Sequence, residues 1–167
     1  MLTALDAPLD ALNEEERSFL GLVREYGWAR MGVFPEDEGP GFSYTTGFWL
    51  TVNRPELILF SINGEVAHDV FWDLFRDGQE GRHLAVATRI DDVFGNFPVY
   101  AFPVAKRYYA EFLGWDRWFY AGDDFPCLQL VWPDRAGLFP WDPGADAAFK
   151  NSQPDLTENG WLASLAH

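Results

Sequence analysis

At 167 residues the chain is sized for one domain, and its 15 Phe, 8 Trp and 6 Tyr can build a core without disulfides or a structural metal. Lys and Arg number 12 against 26 Asp and Glu, and the resulting charge of −14 repels phosphate backbones and anionic bilayers, excluding nucleic acid and membrane surfaces as partners. The lone cysteine, Cys127, has no disulfide partner, "MLTALDAPLD" has no leader pattern, and no apolar run reaches the ~18 residues of a spanning helix, so a cytoplasmic protein is expected.

Asn13 followed by three glutamates reads as an N-cap with Glu16 at the capping-box position, and Phe19, Leu20, Val23 and Tyr26 recur at helical spacing before Gly27. The pattern predicts an amphipathic helix from Glu14 to Tyr26 lying over a sheet. "WARMGVF" and "GFSYTTGFWL", separated by "PEDEGPG", and then "ELILFSI" after "NRP" read as three consecutive strands, antiparallel in sense. Val66, Val70, Phe71, Leu74 and Phe75 share a face and predict a second helix from about Glu65 to Asp77, stopped by Gly78. "HLAVATRI" and "FPVYAFPVA" have strand composition around the turn "DDVFGN", and "PCLQLVW" is a last strand closed by Pro133. "KRYYAEFLGWDRWFYAG" reads as a helix interrupted at Gly114, and the tail is irregular up to one late helical turn. The order of elements predicts an α+β fold over 1–167, a single domain with a mixed or mainly antiparallel sheet packed by two or three helices.

Little catalytic machinery is legible. His68, His83, His167 and Cys127 lack metal-ligand spacing, so no metal is expected; His68 and Asp69 open the second helix, where Asp69 complements the helix dipole. No nucleophile elbow, P-loop or dinucleotide fingerprint occurs, and Cys127 between Pro126 and Leu128 reads as a core residue. The pairs Asp91–Asp92 and Asp123–Asp124 sit at turns, where their side chains bond nearby amides, in preference to acting as acid–base pairs.

"FSYTTGFWLTVNRPELILFSI" resembles the cadence of flavin-reductase-like split barrels. That resemblance implies that Ser43, Thr45 and Thr46 touch a flavin phosphate or ring, with FMN as the cofactor. A second resemblance covers more of the chain. "YTTGF", "PELILFSI", "LQLVWPDRAGLFPWDPG" and "SQPDL", spanning Tyr44 to Leu156, resemble the ordered landmarks of the bacterial domain of unknown function 4262 family, which implies a fold but no activity.

The segment "LQLVWPDRAGLFPWDPG" reads as a strand end followed by two turns. Pro133 and Pro140 fix φ, Asp134 and Asp142 take up nearby amides, and Trp132 and Trp141 pin the corner. The alternative is a pocket wall in which Tyr44, Gln129, Trp132, Asp134, Trp141 and Asp142 meet a ligand, with Trp141 the ligand-facing ring and Trp132 structural. The functional expectation is a small acidic binding protein without a catalytic role, of immunity or inhibitor type, capturing a basic protein partner. The alternative is a flavin- or small-molecule-binding enzyme of split-barrel type using Thr45 and Thr46.

Overall fold

The computed structural model describes residues 1–37 and 39–166. Asn13 caps the first helix, α1 (Glu14–Tyr26), as the sequence requires: its Oδ1 accepts from the Glu16 amide at 2.7 Å, and the Glu16 carboxylate accepts from the Asn13 amide at 2.8 Å. Gly27, at φ 90°, ends the helix in the left-handed region, and its amide returns to the Val23 carbonyl.

Among the described residues five strands follow: β1 (Ala29–Val33), β2 (Phe42–Thr46), β3 (Glu56–Phe60), β4 (Tyr100–Pro103) and β5 (Cys127–Val131). They form one sheet in the order β1-β2-β3-β5-β4. The first three pair antiparallel, β3 and β5 are parallel, and β4 is antiparallel to β5, so the sheet is mixed and the fold α+β.

Alternation along the strands separates the two faces. Tyr44, Ile58, Phe60 and Cys127 join Phe19, Leu20 and Val23 of α1 in one cluster. That cluster also takes Tyr109 of α4 (Tyr109–Phe112), Phe119 of α5 (Gly114–Tyr120) and Leu113 between them. On the other face Leu57, Leu59, Leu128 and Leu130 pack against Val70, Phe71, Leu74 and Phe75 of α3 (Gly64–Gln79). Val66, assigned to that apolar face from the sequence, is 45% exposed, and Ala67 takes the buried position instead; Gly78, expected to stop the helix, is buried inside α3, which runs on to Gln79. At the β4 edge Phe102 and Val131 pack with Phe139, Trp141 and Trp161 of the C-terminal segment, which carries two short helices, α6 (Ala147–Asn151) and α7 (Trp161–Leu165).

Two strand expectations are corrected. The run "GFSYTTGFWL" leaves the sheet at Thr46 and turns at Gly47 into a short helix, α2 (Phe48–Val52). Gly47 sits at φ 115°, and a Cβ there would lie 2.6 Å from the Gly27 carbonyl oxygen, so only glycine lets the turn close. "HLAVATRI" is not a strand. Ala87 at φ 54° breaks its extended run, leaving an Ala87 amide bond to the Ala101 carbonyl and a bridge between Ile90 and Val99. His68 lies one turn inside α3 instead of opening it. The interrupted helix splits at Leu113 into α4 and α5.

Candidate functional site

Three of the candidate residues, Tyr44, Thr45 and Thr46, lead into a sealed polar network. β3 opens with Glu56, 0% exposed, whose carboxylate lies at the start of α2. Its oxygens accept from the amides of Gly47, Phe48 and Trp49, each at 3.1 Å, from Thr45 Oγ1 at 2.7 Å, and from the Tyr120 hydroxyl. Thr45 Oγ1 in turn accepts from the Leu57 amide. Asp116 of α5, also 0% exposed, accepts from Thr46 Oγ1, and among the described residues its Oδ2 has no partner. Tyr44 points its hydroxyl at the Trp115 amide, 3.0 Å away.

Burial raises the Glu56 carboxyl to about 7 in spite of its five donors. Burial also holds Asp116 well above the ordinary carboxyl range, reinforced by the neighbouring Glu56 charge and opposed by a single hydroxyl. With five donors against one, Asp116 keeps its proton, and Glu56 takes up the charge as pH rises through about 7. With neither carboxyl exposed, the pair braces α2 and α5 against the sheet. A flavin phosphate brought to Thr45 or Thr46 would meet two carboxyls, and both hydroxyls are already donating to them. Sequence reasoning missed Glu56, Asp116 and Tyr120; the available signal was an acid opening the otherwise apolar run "ELILF".

The remaining candidates lie in the corner, and their hydrogen bonds are directed at the chain itself. Gln129 Nε2 donates to the Pro154 carbonyl at 2.7 Å. The Trp132 amide donates to Gln153 Oε1 and the Gln153 amide group returns to the Trp132 carbonyl, as a neighbouring strand would, while Trp132 Nε1 reaches the Phe60 carbonyl at 2.9 Å. Asp134 Oδ1 accepts from the amides of Ala136 and Leu138, and Asp142 Oδ2 from that of Phe139. Trp141 stacks on Phe139 at 4.9 Å and meets Tyr100, Phe102 and Trp161 edge-on, so the ring expected to face a ligand is half-buried in an aromatic cluster.

The open surface lies elsewhere, along β1. Among the described residues the β1 backbone makes no hydrogen bond beyond its pairing with β2. The opposite sheet edge is covered where the Ala87 amide reaches the Ala101 carbonyl. Leu22, Tyr26, Val33 and Phe34 stand exposed around β1, Phe34 at 88%. At mid-strand the Arg30 guanidinium donates to Ser43 Oγ at 3.0 Å and lies over two glycines, for a Cβ at Gly32 or Gly64 would approach Arg30 Nη1 to 2.6 or 3.1 Å. It divides two clefts. One, of about 450 Å³, is walled by Leu22, Tyr26, Trp28, His68 and Trp72; the other, of about 560 Å³, by Phe34, Pro35, Phe42, Ser43 and Asn63. Glu25, Glu36, Asp37, Glu65 and Asp69 are exposed on the neighbouring turns and helices.

The model of a family described as a domain of unknown function, DUF4262, matches residues 22–146. The chain belongs to this family. No curated protein and no solved structure matches it. The DUF4262 match starts inside α1 and contains all five strands, the carboxyl network, the corner and the open edge. It stops short of "SQPDL", so Gln153 and Pro154, which hold Trp132 and Gln129, are supplied from beyond the DUF4262 match.

No helix among the described residues is long and apolar enough to cross a membrane.

Proposed function

We propose that the protein is an interaction module without a catalytic role, which takes up an extended basic segment of a partner protein as an added strand beside β1. The observation that carries the reading is the outer side of β1, whose backbone groups have no partner among the described residues and are flanked by exposed apolar side chains. Main-chain bonds supply affinity in strand addition, and alternate side chains enter flanking pockets; the two clefts on either side of Arg30 suit that spacing. The net charge of −14 and the acids bordering the edge favour a basic segment and speed its encounter. Capture of this kind is how an inhibitor or immunity protein acts, and a cytoplasmic location fits the buried, unpaired Cys127.

The test is a peptide array of extended octamers of varied charge, probed with the purified protein and with Phe34→Lys and Leu22→Lys variants. Basic, β-branched peptides are expected to bind, with affinity falling as salt rises, and both variants to lose binding while keeping the parent melting temperature. Preference for acidic peptides, or binding untouched by either substitution, would overturn the reading.

A further inference from the structure

At the far end of α3 from Arg30 lies a cleft of about 250 Å³. Its floor is apolar and comes from four elements: Phe48 of α2, Leu57 of β3, Leu74 of α3 and Leu128 of β5, each 9% exposed or less. Leu84 and Val86 of the irregular segment after α3 form its outer wall, and Arg54, Asp77, Arg82 and His83 its rim. The volume lies just under the ~300 Å³ at which drug-sized ligand sites begin, so the occupant is a small molecule.

The rim charges are not equivalent. Arg82 is neutralised by Asp77 at 2.7 Å and Glu80 at 2.8 Å. Arg54 is held by carbonyls alone, its Nε donating to Arg82 O at 2.6 Å and its Nη1 to Asn53 O at 2.9 Å. No carboxylate among the described residues lies within ion-pair distance of it. Gly78 leaves room for its stem, since a Cβ there would come within 3.2 Å of Arg54 Cγ. Arg54, half-buried as a residue, thereby holds its guanidinium at the mouth of an apolar cleft with donors still open, and a planar carboxylate is the group that such a fork pairs with in bidentate fashion.

We propose that this cleft binds a small apolar monocarboxylate, with its hydrocarbon part on the Phe48, Leu57, Leu74 and Leu128 floor and its carboxylate on Arg54. The site is separate from the β1 edge and stands whether or not that edge binds a partner.

Calorimetric titration of the full chain at neutral pH with octanoate, and with 1-octanol and acetate as controls, tests it. Octanoate is expected to bind saturably at one site, 1-octanol at least about tenfold more weakly for want of the charged hydrogen bonds, and acetate not at all. Arg54→Gln should reduce octanoate affinity to that of the alcohol and leave 1-octanol binding unchanged. Val86→Trp, at a position already 48% exposed, should close the mouth and abolish both. Equal affinity for octanoate and 1-octanol, no saturable octanoate binding, or octanoate binding that survives Val86→Trp would each overturn the proposal.

Discussion

Glu56 and Asp116 show how the same burial acts on two carboxyls with different numbers of donors. Five donors point at Glu56, so replacing it with Gln presents two amide hydrogens where a protonated Glu would present one. Glu56→Gln is expected to cost about 2–4 kcal/mol at pH 8, measured by urea unfolding. Asp116→Asn mimics the protonated state without the cost of protonating a carboxyl on folding, so it should raise stability at pH 8. The pair also sets a pH dependence of unusual sign. With its pKa raised from 4.5 to about 7, Glu56 binds more protons in the folded than in the unfolded chain between those values. Its contribution is therefore fully present below about pH 4.5 and is lost as pH rises to 7, by about 3 kcal/mol across the window. Asp116 adds in the same direction. Urea midpoints from pH 5 to pH 8 should fall in the wild type, less steeply in Asp116→Asn, where Glu56 alone still titrates; a midpoint that rises with pH would show both carboxyls ionised in the fold.

At the scale of elements, what was legible in the sequence was what local chemistry decides. The Asn13–Glu16 box and Gly27 bound α1 because a cap and a left-handed stop each act within a few residues. Asn13→Ala should cost about 1 kcal/mol and Phe19→Ala, which removes a 6%-exposed ring lying 4.6 Å from Trp115, about 3–5 kcal/mol in thermal melts. Equal losses would contradict either the cap or the buried face. The end of β2 was not legible, because its cause is distant. "TTGFW" has strand composition, and it becomes a helical turn because Glu56 and Tyr120 gather its amides. The strand expected at "HLAVATRI" likewise yields to its surroundings, where β4 offers it only a short outer edge. At the corner Asp134 and Asp142 bond the nearby amides that turn chemistry expects of them, and Trp132 and Trp141 are both half-buried. Trp132 reaches across to the Phe60 carbonyl and Trp141 lies among four other rings, so each Trp→Ala should cost about 3 kcal/mol, read as urea midpoints. A Trp141→Ala variant as stable as the parent would restore that ring as a binding platform.

At the scale of the whole molecule, the open edge and the charge have to be considered together. An uncovered strand with a bare Phe beside it is a template for pairing with a second copy, and short edge strands are normally guarded by charge, proline or a covering loop. β1 itself carries one charge, Arg30, and proline enters only at Pro35. The guard is the summed charge of −14, which keeps copies apart at low ionic strength. Salt removes that guard without altering any covalent feature of the edge, since the screening length falls from about 10 Å at 0.1 M to about 3 Å at 1 M. Sedimentation velocity at pH 7 should therefore show a monomer at low salt and reversible association at 1 M sodium chloride. Phe34→Glu should stay monomeric in both, because it removes the exposed ring and places a charge on the edge, where even at short screening length a facing copy would bring two like charges together. A substitution remote from β1, such as Leu162→Glu at a 66%-exposed position of α7, should associate like the parent. If Phe34→Glu associates in salt as readily as Leu162→Glu, self-pairing does not run through β1, and the case for strand addition at that edge weakens with it.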